Sequence, residues 1–268
     1  MNGDHSAAQA EAEAVLSIRD VVAGYGDEDI LHGVSLDVPN GKVVAVIGPN
    51  GSGKSTLLKA VYGLLHPHRG SVTFRDRSGQ AYDLIGLRPH AVTRLGINFV
   101  PQLANVFPDL SVRENLEVGA FVHTGRFRDH LERVLVTFPA LGGMLRARAA
   151  TLSGGQRQML GIARALISDP KVLILDEPSA GLAPSVVDTV FQTIKSINAS
   201  GVSILMVEQK ARQCLSISDY GYVLDMGENR IAGTGEQLLH DPEVIQLYLG
   251  NRGRLGAAVL RLRKQFVT

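Results

Sequence analysis

Apolar and polar positions alternate along the first third of the chain in the short runs typical of β-strands. "LSIRDVVAGY" and "GVSLDV" show this alternation, whereas "KVVAVIG" is a continuous apolar run, as expected for a strand buried on both faces. The later runs "KVLILDE" and "SILMVE" have the same continuous character. The pattern predicts strands at residues 16–25, 33–38, 42–48, 70–76, 171–177 and 203–208, with a hairpin at 221–233.

Between these strands, apolar residues recur at helical spacing. This spacing predicts helices at about 54–63, 154–168, 185–198 and 210–217. In the middle of the chain, roughly 88–168, the pattern becomes mainly helical. "VRENLEVGAFV" and "RDHLERVLVTF" have helical periodicity with little strand signal between them. Strands that alternate with helices, interrupted by a mainly helical block, predict an α/β fold with a parallel-sheet core and an inserted helical subdomain.

Composition changes this picture little. The chain has 268 residues, 45% of them hydrophobic and 20% charged, which is typical of a globular protein with a sizeable core. A net charge of +1 gives no argument for a nucleic-acid partner. The single cysteine, Cys214, suits a reducing compartment, and the apolar runs fall well short of the ~18 residues that span a bilayer. We expect a soluble cytoplasmic protein whose residues 1–14 form a flexible polar leader without the features of a secretory signal.

A phosphate-binding loop is the first candidate for chemistry. "GPNGSGKST" satisfies the pattern G-x-x-x-x-G-K-[ST], and it follows a predicted buried strand and opens a predicted helix. Glycines let backbone amides wrap phosphates, Lys54 brings a point charge to the β- and γ-phosphates, and the Ser55 hydroxyl can bind Mg²⁺. The loop comprises Gly48, Pro49, Asn50, Gly51, Ser52, Gly53, Lys54, Ser55 and Thr56.

Two carboxylates stand at the end of a later strand. In "KVLILDEP", four apolar residues deliver Asp176 to the edge of the sheet where the phosphate loop is expected. An aspartate there holds Mg²⁺ in P-loop NTPases. Glu177 follows at once and is the candidate for the general base that deprotonates an attacking water.

A second candidate phosphate turn lies in "TLSGGQRQML". Ser153 can cap the helix that follows, and the amides of Gly154 and Gly155 stand at the start of that helix. One nucleotide has a single triphosphate chain, so a second phosphate turn in the same chain calls for an explanation.

The set "GPNGSGKST", "LSGGQRQ" and "LILDEPSAGLAP", in this order and spacing, resembles the ATP-binding cassette of ABC transporters over about residues 15–250. The resemblance implies a P-loop NTPase with an added antiparallel β subdomain, which hydrolyses ATP with Mg²⁺. It also implies that two cassettes pack head to tail, so that Ser153, Gly154, Gly155 and Gln156 of one close on ATP held by the other. The implied limits are 1–14 for the leader, 15–251 for the ATPase domain (core about 15–87 and 169–251, helical subdomain about 88–168) and 252–268 for a basic tail.

Single positions carry over by the same resemblance. Tyr25, in "AGYG", matches the aromatic residue that stacks on adenine. Gln102, in "FVPQ", matches the glutamine that contacts Mg²⁺ or the attacking water. Two positions depart from the general pattern: Ala183 replaces the usual aspartate of the loop after the glutamate, and Gln209 replaces the usual histidine that contacts the γ-phosphate. A weaker contact and unequal ATP sites in a heterodimer are the expectation from these departures.

Within the superfamily, "EPSAGLAP", "MVEQ" and "VFPDLSVRENLEVGAF" resemble the ATPases of branched-chain amino acid importers and their urea and amide relatives. That branch implies a second cassette, two permease subunits at the inner face of the membrane and a periplasmic binding protein. The tail 252–268 carries five basic residues, so membrane or permease contact is one interpretation and a solvated tail is the other. A soluble ABC ATPase without permeases and a P-loop kinase are the rival classes, although "LSGGQRQ" has no role in a kinase.

Overall fold

The computed structural model describes residues 14–103, 105–122 and 126–249, and their strands form two sheets. The strands are β1 (Ala14–Tyr25), β2 (Glu28–Pro39), β3 (Val43–Ile47), β4 (Arg69–Arg75), β5 (Ala81–Asp83), β6 (Ile97–Val100), β7 (Val172–Asp176), β8 (Ser203–Glu208), β9 (Tyr220–Asp225) and β10 (Glu228–Thr234). One sheet is antiparallel, with the order β2-β1-β4-β5. The other has the order β10-β9-β3-β8-β7-β6 and is parallel except for the β9–β10 hairpin, which confirms the predicted sheet core, β subdomain and hairpin.

Helices cover the parallel sheet and build the middle of the chain. They are α1 (Lys54–Val61), α2 (Pro89–Leu95), α3 (Val112–Gly119), α4 (Phe127–Thr137), α5 (Pro139–Gly142), α6 (Gly154–Leu166), α7 (Pro184–Ala199), α8 (Ala211–Ser216), α9 (Gly235–His240) and α10 (Pro242–Val244), with a 3-10 turn at Ala149–Thr151 and a π-helical turn at Ile245–Leu249. Within the described ranges, every helix is too short or too polar to cross a lipid bilayer.

The continuous apolar strands separate two hydrophobic clusters. In β3, Val44 and Val46 pack into a cluster with the antiparallel sheet and α1, whereas Ala45 and Ile47 pack into a second cluster with α6 and α7. All five residues of β3 are buried, as are all of β7 and β8. Burial on both faces explains why these strands read as unbroken apolar runs rather than as alternation.

The strand β6 was missed by the sequence pattern. It pairs in parallel with β7, with Ile97 opposite Val172, and therefore belongs to the core sheet. The predicted start of the helical block at about residue 88 is wrong for this strand, because the core sheet extends to Val100. Four residues at a sheet edge, one of them the polar Asn98, give too weak a pattern to be read as a strand.

The ends of the predicted domain need one further correction. Ala14, assigned to the leader, is the first residue of β1 and is buried. The rest of the leader and the basic tail at 252–268 lie outside the described residues.

One buried amide fixes the chain between the core and the helical block. The side chain of Asn115 in α3 is fully buried; its oxygen accepts from the N–H of Phe107 at 2.7 Å, and its nitrogen donates to the carbonyls of Phe107 at 3.0 Å and Ser111 at 2.9 Å. These bonds tie the segment before α3 to the helix itself. Ser111 also caps α3 in a reciprocal bond pair with Glu114.

We expect Asn115→Ala to lower the free energy of unfolding by about 1–3 kcal/mol, because it removes a fully buried amide and leaves the N–H of Phe107 without its hydrogen-bond acceptor. Chemical denaturation of the purified chain measures the change. Gln213→Ala, at an exposed position of α8, is the control and should leave the denaturation midpoint unchanged. Equal midpoints for the two variants would contradict the role assigned to Asn115.

Candidate nucleotide site

The site begins where β3 ends, at a glycine-rich turn of residues 48–53 that leads into α1. A Cβ on Gly48 would lie 2.0 Å from the carbonyl oxygen of Leu224, so no larger residue fits there without a shift of the backbone. Gly53 has a φ of +98°, and a Cβ would lie 2.7 Å from the Leu31 side chain. Glycine at these two positions allows the tight turn that phosphate-binding loops use.

Lys54 is buried against this turn. Its ammonium group donates to the carbonyl oxygens of Gly48 at 2.9 Å and Pro49 at 2.8 Å. Burial lowers the pKa of Lys54, and nearby carboxylates, chiefly that of Glu177, oppose this shift. The hydroxyl of Ser52 is buried and has no hydrogen-bond partner among the described residues. An unpartnered hydroxyl beside a buried ammonium group fits an anionic ligand in the turn.

Asp176 stands beside the turn, at the end of β7. The Ser55 hydroxyl donates to its Oδ1 at 2.9 Å. Burial raises the pKa of Asp176, and the bond from Ser55 opposes that shift. In the part of the chain that the structure describes, no group of three or more His, Cys, Asp and Glu side chains could hold a metal ion. A single carboxylate beside a hydroxyl still fits Mg²⁺, which is usually bound by one or two carboxylates and completes its shell with water and substrate phosphates.

Two amides hold the carboxylate of Glu177. The Nε2 of Gln209 lies 2.9 Å from each of its oxygens, and the Nε2 of Gln102 donates to Oε2 at 2.9 Å. The Glu177 backbone has a φ of +46°, which is uncommon for a residue other than glycine, and its N–H donates to the carbonyl of Val207. Side chains from two different loops therefore fix the position of this carboxylate.

Lys54, Ser55 and Glu177 line one cleft of about 340 Å³. The walls of this cleft do not include Gly48, Pro49, Ser52 and Asp176. Of the residues predicted for the site, its walls contain Tyr25, Asn50, Gly51, Gly53, Lys54, Ser55, Thr56, Gln102, Glu177 and Gln209. Tyr25 is about half exposed at the end of β1, and its hydroxyl accepts from Lys59 at 3.2 Å. Ile30 of β2 also lines the cleft and was not predicted, because an apolar residue in a strand carries no distinguishing signal.

The second glycine pair is built differently. Ser153 caps α6, since its hydroxyl accepts from the N–H of Gln156 at 3.3 Å while its own N–H donates to the Gln156 side chain at 2.9 Å. The predicted cap is therefore confirmed. A Cβ on Gly155 would lie 2.5 Å from the Val186 side chain, so this glycine allows α6 to pack closely on α7. Ser153 and Gly154 are exposed, and neither lines the cleft around Lys54.

Ala183 stands at the cap position of α7. Its backbone is extended and its side chain makes no capping bond, while Pro184 occupies the first helical position. An aspartate at this position would accept hydrogen bonds from the first N–H groups of α7. The departure at residue 183 therefore removes a carboxylate and a cap together.

Sequence reasoning missed one buried carboxylate next to the site. Glu208, the last residue of β8, is 1% exposed and accepts a hydrogen bond from the N–H of Ser179 at 2.8 Å. Its only signal in the sequence is a charge that ends the apolar run "SILMVE".

Known proteins similar to this chain are ATP-binding subunits. Residues 31–180 match the family described as ABC transporter. The chain is 40% identical to the high-affinity branched-chain amino acid transport ATP-binding protein BraG of Pseudomonas aeruginosa, over 88% of this chain and 100% of that protein. It is also 40% identical to the probable branched-chain amino acid transport ATP-binding protein LivF of Archaeoglobus fulgidus, over 85% and 95%. The lipopolysaccharide export system ATP-binding protein LptB of Escherichia coli is 32% identical, over 90% and 100%.

Solved structures agree with these relatives. The ADP conformation of MJ1267, an ATP-binding cassette of an ABC transporter, superposes with a TM-score of 0.78 at 29% identity, covering 89% of this chain and 99% of that one. A dimeric post-hydrolysis state of the cassette MJ0796, bound to ADP and Pi, superposes with a TM-score of 0.70 at 25% identity, covering 84% and 99%. The glycine-rich turn, the carboxylates and the cassette fold thus occur together, and the chain belongs to the ABC transporter family as one of its ATP-binding, ATP-hydrolysing subunits.

Proposed function

We propose that this chain is the ATPase subunit of an importer for branched-chain or related amino acids. The observation that carries the proposal is the 40% identity to BraG along the whole length of that protein. Identity to LptB, whose name places it in lipopolysaccharide export, is 32%. A urea or amide importer is the alternative within the same branch, and a soluble ABC ATPase without permeases is the alternative outside it.

In this proposal the residues around the glycine-rich turn bind MgATP. The turn and Lys54 hold the β- and γ-phosphates, and Tyr25 stacks on adenine at the open end of the cleft. Ser55, Asp176 and Gln102 hold Mg²⁺, which neutralises charge on the phosphates. The unpartnered Ser52 hydroxyl and the buried ammonium of Lys54 support this assignment, since both fit an anionic ligand.

Glu177 acts as the general base. It takes a proton from a water whose oxygen attacks the γ-phosphorus, while the bond between that phosphorus and the bridging oxygen to the β-phosphate breaks. Gln102 and Gln209 orient the carboxylate, because their amides already bond both of its oxygens. Neither amide titrates near neutral pH, so this orientation does not depend on a histidine at residue 209.

Ser153, Gly154, Gly155 and Gln156 serve the ATP of a second cassette. The exposed start of α6, which does not line the chain's own cleft, supports this arrangement, as does the dimeric state of the related cassette MJ0796. The second cassette is either a copy of this chain or a different subunit. Two permease subunits place the pair at the inner face of the membrane, and a periplasmic binding protein delivers the solute to them.

Disruption of the gene in its host is the direct test of the transported solute. We expect uptake of radiolabelled leucine to fall, because the permeases would lose their ATPase. Plasmid-borne wild type should restore uptake, and Lys54→Ala should not. Uptake of labelled proline is the control for general energy loss. Unchanged leucine uptake with reduced urea or acetamide uptake would overturn the amino-acid assignment in favour of the alternative.

Glu177→Gln should still bind ATP but hydrolyse it on the order of 10²–10⁴ times more slowly, because the amide cannot accept a proton from water. ATP affinity should stay close to that of wild type, since Lys54, Ser55 and Asp176 are untouched. Phosphate release and fluorescent-nucleotide titration measure the two quantities. Glu236→Gln, at an exposed position of α9, is the matched control. Hydrolysis at the wild-type rate in Glu177→Gln would show that another group is the base.

Ser153→Arg should stop hydrolysis while leaving ATP affinity of its own chain unchanged, because the arginine would block the partner's nucleotide. Ser111→Arg is the matched control, since Ser111 makes the same kind of cap at α3. Both variants should lose similar stability, roughly 1 kcal/mol, but only Ser153→Arg should lose turnover. If the chain forms homodimers, mixing Ser153→Arg with Lys54→Ala should restore part of the activity by leaving one composite site intact. A loss of ATP affinity in Ser153→Arg would show that this turn serves its own chain.

A further inference from the structure

The carboxylate of Glu208 lies behind the proposed catalytic loop, at the end of β8. It is 1% exposed, and burial raises its pKa, while hydrogen bonds to it have the opposite effect. Its Oε1 accepts from the N–H of Ser179 at 2.8 Å, and its Oε2 accepts from the N–H groups of Gln209 at 3.1 Å and Lys210 at 3.3 Å. Three backbone donors from two separate loops therefore converge on one side chain.

The two loops meet again at the proposed base. Ser179 lies two residues after Glu177, and the Lys210 ammonium donates to the carbonyl of Ser179 at 3.1 Å. Both the N–H and the C=O of Ser179 are therefore hydrogen-bonded to the second loop. Gln209 in turn bonds both oxygens of Glu177 through its side chain. The ring that results runs from Glu208 through the Ser179 loop to Glu177 and back through Gln209.

Joining two loops through a buried carboxylate carries a large desolvation cost. Removing a carboxylate from water carries a large penalty, which only several well-made hydrogen bonds offset. A neutral side chain of the same shape cannot replace it here. A glutamine would present its NH₂ group either to the N–H of Ser179 or to those of Gln209 and Lys210, and donor would face donor.

We propose that Glu208 is a positioning residue for ATP hydrolysis, which holds the backbone of Gln209 and Ser179 so that the Gln209 amide aligns the carboxylate of Glu177. This inference rests on the proposed role of Glu177 as the general base. Glu208 does not line the nucleotide cleft, so its effect falls on turnover rather than on ATP binding. Gln102 reaches Glu177 from a different loop and retains its bond when Glu208 is changed.

Steady-state hydrolysis by Glu208→Gln tests the inference in the full-length chain. We expect kcat to fall roughly 10- to 100-fold with KM for ATP within about twofold, which is a smaller loss than for Glu177→Gln. Glu114→Gln is the matched control, because this carboxylate also accepts a backbone N–H, that of Ser111 at 2.7 Å, but lies in the helical block. An unchanged kcat in Glu208→Gln overturns the proposal. If Glu208→Gln does not fold, Glu208→Asp keeps the charge but shortens its reach, and the same kcat criterion applies.

A double-mutant cycle separates positioning from general stability. If Glu208 acts through Gln209, the variant carrying both Glu208→Gln and Gln209→Ala should have the kcat of Gln209→Ala alone. The proposal is overturned if the fold-losses in kcat of the two single variants multiply in the double variant. It is also overturned if the loss of kcat only follows a lower melting temperature. Glu177→Gln is measured in the same assay. If it hydrolyses at the wild-type rate, the proposed base fails; if it is inactive while Glu208→Gln is normal, only the inference about Glu208 fails.

Discussion

Parallel pairing of three fully buried strands is the constraint on which the candidate site depends. β3, β8 and β7 lie side by side with Ile47 opposite Glu208 and Val207 opposite Asp176, so all three strands end at the same edge. Lys54, Asp176 and Gln209 are far apart in the sequence, and this register brings them to the same edge of the sheet. Burial disfavours the charged form of both side chains and therefore lowers the pKa of Lys54 and raises the pKa of Asp176. Opposite charges and hydrogen bonds must therefore compensate within the site.

The sequence predicts those parts of the fold and site whose signals are local. The glycine-rich turn, the strand that ends in Asp176 and the cap at Ser153 each follow from a few neighbouring residues. β6 cannot be predicted in this way, because it is short and contains the polar Asn98. The side chain of Asn98 makes a tertiary hydrogen bond to the carbonyl of Ala165 at 2.5 Å. The hydrogen bonds between Gln209 and Glu177, like those of Glu208, join segments that are distant in the sequence. The spacing of residues along the chain therefore cannot predict them.

Contacts within this chain explain the residues of the turn at Ser153 without any role in nucleotide binding. Its capping pair accounts for why serine and glutamine stand three residues apart, and packing against Val186 accounts for Gly155. Neither reason requires a nucleotide. A turn that is exposed, capped and outside its own cleft is nevertheless what the head-to-tail proposal needs, since the partner's phosphates would meet a helix start already ordered.

The glutamine at residue 209 changes what its position does in the proposed mechanism. A neutral histidine offers one ring N–H, whereas the amide of Gln209 has two N–H groups and lies 2.9 Å from both oxygens of Glu177. Gln102 donates to one of the same oxygens, so the two amides together fix the carboxylate and leave part of its lone-pair capacity for a water. Under the proposed mechanism, the side chain at residue 209 contacts the base, whereas the usual histidine is expected to contact the γ-phosphate. If Gln209 orients the base as proposed, turnover depends on how firmly the end of β8 holds Gln209, and Glu208 accepts the backbone N–H of Gln209 there.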